Sequence, residues 1–146
     1  MPVAATFIAI FNKKTLYTVL VDGDCEDPVA DSVHSTLEGH IKLKRKLAHK
    51  QIFPCIDIVA SESPFFNDIT TEEHKKAARA YLEAWSLYED AEDLISIGAY
   101  KAGGNQKLDW AVKNFERMAE FRKQKLSDIC PFDETIKNLI DLMSSE

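Results

Sequence analysis

A change of hydrophobic period at Thr70 constrains this chain more than any other feature. Beyond it, Ala77, Tyr81, Trp85, Tyr88, Ala91 and Ile95 recur at three- and four-residue spacing, the pattern of one buried helix face. Thr70 followed by Glu73 reads as a capping box: the hydroxyl accepts an orphan N–H while the carboxylate reaches back. Ala102-Gly103-Gly104 is the expected stop, because glycine accepts the left-handed conformation common at a helix C-terminus. Asn105 can cap a second helix, with the stripe Leu108, Ala111, Val112, Phe115, Met118 and Ala119. After Pro131, a third stripe runs through Phe132, Ile136, Leu139, Ile140 and Met143. Three amphipathic helices with short connections can cover one another, so 70–146 predicts a helical domain.

Residues 1–69 have a different texture. Thr6 to Phe11 and Leu16 to Val21 are short and rich in β-branched and aromatic residues, with Asn12-Lys13-Lys14 between them. They predict two strands, although buried apolar runs of this length are also compatible with helix. Asp22-Gly23-Asp24 and Asp27-Pro28 break the second run. Ala30 to Leu37 suits a short helix ended by Gly39, and Phe53 to Val59 suits a further strand entered through Pro54. The expected class is therefore α+β: a partial α/β segment with few short strands over 1–69, then a C-terminal helical bundle.

Composition narrows the function classes. At 45% hydrophobic residues, 146 residues can bury a core of one ordinary domain, or a small domain with a helical appendage. A net charge of −6 argues against general nucleic-acid binding. No apolar run approaches the roughly 20 residues that cross a bilayer, and the start Met1 to Thr6 lacks the pattern of a signal peptide. Cys25, Cys55 and Cys130 are widely spaced and form neither a zinc pattern nor a disulfide framework. Reduced thiols and a cytoplasmic location are the expectation.

Chemical motifs are scarce. Gly98 with Gly103-Gly104 has the first spacing of a phosphate loop but lacks its Lys and Ser/Thr, so helix punctuation is the better reading. Asp22, Asp24 and Glu26 invite calcium, yet an EF-hand needs glycine where Asp27 stands; a solvated acidic turn is expected. His34, His40, His49 and His74 have no metal spacing, so no metal site is expected. No catalytic residues are assigned, since nothing here marks a Ser/His/Asp arrangement.

Three features invite a partner. Lys42, Lys44, Arg45, Lys46 and Lys50 follow the acidic stretch 22–38, and read as a solvated helix face or as a docking patch for an acidic partner. Tyr81, Trp85 and Tyr88 read as core, with a ligand cage as the alternative. The loop from Tyr100 to Lys107 is a plain turn or, because rigid helices display it, a place where partners are met.

One ordered series of segments resembles a known family. Leu16 to Asp24, Pro28-Val29-Ala30-Asp31, Gly39-His40-Ile41 with Arg45, Phe53-Pro54-Cys55-Ile56-Asp57, Glu92 to Tyr100 and Phe132-Asp133-Glu134-Thr135 follow one another as in the flagellar and type III protein-export ATPases. These are relatives of the rotary ATP synthase catalytic subunit. The likeness runs from about Thr15 to Met143. It implies a partial RecA-like segment over 1–69 and the family's C-terminal helical domain over 70–146. It also implies that a family edge of parallel sheet is left unpaired, which favours association.

The same resemblance implies site residues. Phe53 falls where the family sets an aromatic against adenine, an apolar core role being the equal alternative. Pro64, in Ser61-Glu62-Ser63-Pro64, falls where the family usually has an arginine that reaches a neighbouring subunit's nucleotide; proline has no charge to stabilise a transferring phosphoryl group. Tyr100, Lys101, Gly103, Gly104, Asn105 and Lys107 lie in the loop resembling the family's stalk-facing hairpin. ATP and magnesium serve the parent family, but the phosphate loop and magnesium-binding strand are absent from these residues, so no cofactor is expected for this chain alone. The implied work is an interaction module for ATPase ring subunits, stalk or chaperone proteins, with self-association as one form of assembly. The alternative is a degenerate nucleotide-site partner completing or regulating another chain's ATPase; an unrelated function with only shared ancestry is a third reading.

Overall fold

Short β-branched and aromatic segments at the start pair into a sheet, as expected of residues that suit a pleated surface. Strands β1 (Ala5–Phe11) and β2 (Lys14–Leu20) run antiparallel, with Ala5 opposite Leu20 and Phe11 opposite Lys14. β1 also pairs with β3 (His40–Leu43), and β3 with β4 (Ile56–Glu62), in the order β2-β1-β3-β4. The computed structural model describes residues 5–11, 14–20, 39–125 and 127–144, with side chains from Gly39 onward. The expected helix over 30–37, the acidic turn at 22–27, Cys25 and His34 lie outside them. The described residues form two compact units that divide between Ile69 and Thr70.

Every strand pairing among the described residues is antiparallel, which corrects the expectation of a parallel sheet. β1 and β2 are separated by only two residues, and a parallel return needs a crossover of about a dozen or more. The expected strand at Phe53–Val59 is also displaced, to Ile56–Glu62. Pro54 has no N–H to give a ladder, so pairing begins after it, with Leu43 opposite Ile56. β4 then bulges: Lys42 pairs with Asp57 but His40 with Glu62, so residues 58–61 face only Ile41. The Asp57 carboxylate accepts the N–H groups of Val59 and Ala60, each at 3.1 Å. The Ser61 hydroxyl accepts the Lys42 N–H at 3.0 Å and donates to the Asp57 carbonyl. Side chains thus supply partners that the broken ladder cannot.

The basic cluster is not one solvated helix face. Lys42 lies on β3, while helix α1 covers only Arg45–His49. Its end is a Schellman motif: Gln51 adopts φ 57°, its N–H donates to the Ala48 carbonyl, and the Ile52 N–H donates to the Leu47 carbonyl at 2.9 Å. Leu47 and Ile52, the positions where this motif makes its apolar contact, are each 2% exposed. A one-turn helix, α2 (Phe66–Ile69), closes it.

The second unit is α3 (Glu72–Ser96), α4 (Gln106–Arg122) and α5 (Phe132–Ser144). The N-cap of α3 is Thr71, not Thr70; its hydroxyl accepts the His74 N–H. Nor does α3 reach Gly103-Gly104. It stops at a second Schellman motif, with Gly98 at φ 71°, its N–H on the Ile95 carbonyl and the Ala99 N–H on the Leu94 carbonyl. Glycine is needed there because a Cβ makes that conformation costly. Asn105 caps α4 as expected, its side-chain oxygen accepting from the N–H groups of Lys107 and Leu108.

The facing stripes make the core. Trp85, Met118 and Ala111 are buried, Met118 completely. Trp85 lies 5.6 Å from Phe115, Tyr88 stacks on Phe115 at 3.7 Å, and the Arg122 guanidinium sits 4.2 Å over the Trp85 ring. The ligand-cage alternative for these aromatics gives way to this packing. Tyr81 keeps its polar end satisfied by donating to the Met118 carbonyl at 2.8 Å, and burial pushes its phenol pKa far above the ordinary value. Leu139 and Leu142 bury the third helix. Phe132, expected in that stripe, is instead exposed, its ring edge meeting His74. No helix among the described residues is long and apolar enough to cross a membrane.

Candidate functional site

The loop between α3 and α4 is organised by one carboxylate. Asp109, in the first turn of α4, accepts the Tyr100 hydroxyl on Oδ1 and the Gly103 N–H on Oδ2 at 2.8 Å. Gly103 has φ 98°, a conformation that a side chain would strain even though the space around it is open, while a Cβ at Gly104 would meet the Lys101 carbonyl oxygen at 4.0 Å. Lys101 is exposed. Lys107 forms a 2.5 Å ion pair with Glu83 of α3, with both side chains more than half exposed. Such a pair contributes little to stability, but it orients the lysine. The six residues expected to meet partners are therefore brought together in one short segment, held at both ends.

Beside this loop, Ala80, Ala84 and Leu87 of α3, Gln106 and Trp110 of α4, and Met143 of α5 line a mostly apolar groove of about 310 Å³. The Glu83–Lys107 pair stands at its wall.

The Tyr100 hydrogen bond to Asp109 raises the phenol's pKa. The bond needs the proton, so its contribution is complete below the ordinary tyrosine range and is lost as pH rises through the higher folded value. A difference titration at 295 nm between the wild type and Tyr100→Phe is expected to show one phenol ionising above pH 10. An ordinary midpoint would mean that the bond does not persist in solution.

In the first unit, Phe53 and Pro64 are not brought to one site. Phe53 is 46% exposed, so the apolar-core alternative is not observed. Pro64 lies on an open cleft of about 270 Å³ with His40, Ile41, Phe65 and Ile69, and Phe53 does not line it. Gly39 packs so closely here that an added Cβ would meet Pro64 Cδ at 2.7 Å. His40 is buried, with Nε2 3.1 Å from the Ala60 carbonyl. Among the described residues no cluster of histidine, cysteine or carboxylate could hold a metal, and Cys55 and Cys130 form no disulfide.

Asp109, Glu83 and Trp110 were not among the residues singled out from sequence. An acid in the first turn of a helix looks like ordinary dipole compensation. Its reach back to Tyr100 and Gly103 depends on the loop's path.

Comparison with known proteins finds relatives for both parts of the chain. The profile of the T3SS EscN ATPase C-terminal domain matches residues 70–141, and that of the ATP synthase alpha/beta family nucleotide-binding domain matches residues 14–63. The chain is a C-terminal relative of the flagellar and type III secretion ATPases. The flagellum-specific ATP synthase of Bacillus subtilis is 40% identical over 131 residues, covering 89% of this chain and 30% of that protein. The assembled ATPase EscN of enteropathogenic E. coli superposes with a TM-score of 0.78 at 38% identity, covering 87% of this chain and 31% of that one. EscN in complex with its central stalk EscO gives 0.75 at 36% identity, with 81% and 29% covered. This chain thus spans about a third or less of the length of these relatives. Pro64 lies one residue beyond the nucleotide-binding match.

Proposed function

We propose that this chain is an interaction module of a protein-export ATPase, working in the cytoplasm through the loop between α3 and α4. The observation that carries this reading is the anchored loop itself. Asp109, the Asn105 cap and the Glu83–Lys107 pair hold it at the end of two packed helices, with Lys101 presented outward. Its partners are ring subunits, the stalk or secretion chaperones; the relative EscN is known in complex with its stalk. Catalysis is not assigned to the chain alone. Its residues contain no phosphate-loop sequence, and Pro64 has no charge for a developing phosphoryl transition state.

The test is capture of purified EscO by the full chain and by Lys101→Glu. Lys101 is the better target because a glutamate at 107 would also face Glu83. Loss of about three- to tenfold in affinity is expected for Lys101→Glu at low salt, shrinking as salt rises. Unchanged capture would remove this loop from the interface.

The half-exposed Phe53 ring supports a second reading, in which the chain completes or regulates the nucleotide site of another ATPase chain. Calorimetric titration with ATP and magnesium, with and without a full-length export ATPase, separates the two. No heat alone and no change in the partner's turnover would exclude it.

A further inference from the structure

We infer that Asp109 is the positioning residue of the partner loop, holding it in its binding conformation before any partner arrives; this rests on the reading of that loop as the partner site. The carboxylate reaches two loop positions at once, the Tyr100 hydroxyl and the Gly103 amide, so it spans the turn with one rigid group. Neither bond belongs to the helix ladder or to the buried core. Asp109 is only partly buried, whereas the core residues Trp85 and Met118 are buried and neither is a hydrogen-bond partner of its carboxylate.

Gly103 and Gly104 give the segment unusual backbone freedom, and ordering such a segment at the moment of binding weakens association. A loop held in the competent conformation avoids that loss. When the competent fraction falls, apparent affinity falls in the same proportion. The Asn105 cap cannot substitute, because its bonds go forward into α4 rather than back across the loop.

The two bonds can be separated chemically. Asp109→Asn retains one acceptor oxygen but can serve only one of the two donors. Tyr100→Phe removes the hydroxyl and leaves the Gly103 bond. Asp109→Ala removes both.

The experiment measures association kinetics of the full chain with EscO, together with amide hydrogen exchange at Gly103 and the thermal midpoint of each variant. Asp109→Ala is expected to speed Gly103 exchange and to weaken capture by about tenfold, mostly through a slower on-rate, with the midpoint nearly unchanged. Asp109→Asn and Tyr100→Phe fall between it and the wild type, and the Tyr100→Phe effect largely vanishes in the Asp109→Ala background. An unchanged Gly103 exchange rate or an unchanged on-rate in Asp109→Ala overturns the inference. So does a midpoint that drops in step with capture across the three variants, since that is the behaviour of a purely structural residue. If the wild type captures no EscO at all, the partner-site reading itself fails and takes this inference with it, which the exchange data alone would not do.

Discussion

Trp85→Ala is expected to destabilise the helical unit by about 3–5 kcal/mol, the range for emptying a large aromatic site in a close-packed core. Trp85 is 2% exposed, and it touches the design of the unit at three points. Its ring faces Phe115 of α4, stacks in series with Tyr81 on its own helix, and lies under the Arg122 guanidinium near the end of α4. Removing it opens a cavity between helices and also leaves Arg122 without its aromatic face. Urea unfolding followed by helical circular dichroism measures the effect. Since a domain of this size has only about 5–15 kcal/mol in total, the variant should unfold at much lower urea. A loss below about 1 kcal/mol would show that neighbouring side chains collapse into the space, and that the aromatic series is less rigid than its geometry.

The second large effect is expected in the other unit. Leu47→Ala should cost about 2–5 kcal/mol there, because the residue is 2% exposed and occupies the C3 position of the α1 Schellman motif. That motif turns the chain from α1 toward β4: the Ile52 N–H returns to the Leu47 carbonyl, and the Lys44 N–H donates to the Cys55 carbonyl at 2.8 Å. Without the leucine side chain the motif loses one of its two buried apolar groups, although the backbone bonds keep their partners. Hydrogen exchange at the Ile52 and Lys44 amides reads the change directly. Both should lose protection together, by the factor that the lost free energy implies. Protection unchanged at both amides would mean that the turn is held by its backbone bonds and not by its buried side chains.

The helical half was largely legible because its signals are local. Stripes at three- and four-residue spacing place one face against neighbours whatever the rest of the chain does, and Ala77, Tyr81, Trp85, Ala91, Ala111 and Met118 are indeed buried. The Asn105 cap was legible for the same reason. The end of α3 was misplaced because three glycines compete within seven residues, and only the dihedral angles show that Gly98 takes the left-handed position where the helix stops. At the other end, Thr70 and Thr71 offer identical chemistry, so the cap is chosen by where the chain enters the helix.

The α/β half was less legible. The two first strands follow from residue type, but β3 and α1 hide inside a lysine-rich run with one arginine that looks merely solvated. The left-handed turn that ends α1 is made by Gln51, a residue with no special preference for it, so no glycine announces it. In β4, Asp57 and Ser61 supply hydrogen bonds at a bulge whose position depends on β3.

By itself the sequence determined the helical stripes, the Asn105 cap and the kinship with export ATPases, all of which are carried by residues near one another in the chain. It also determined that Pro64 brings no charge. The tertiary structure decided strand direction, the bulge of β4, the exposure of Phe53 and the anchoring of the Tyr100–Lys107 loop by Asp109. Those depend on which groups meet across several residues of turning backbone, and hydrogen bonds of that kind leave no period in the sequence to read.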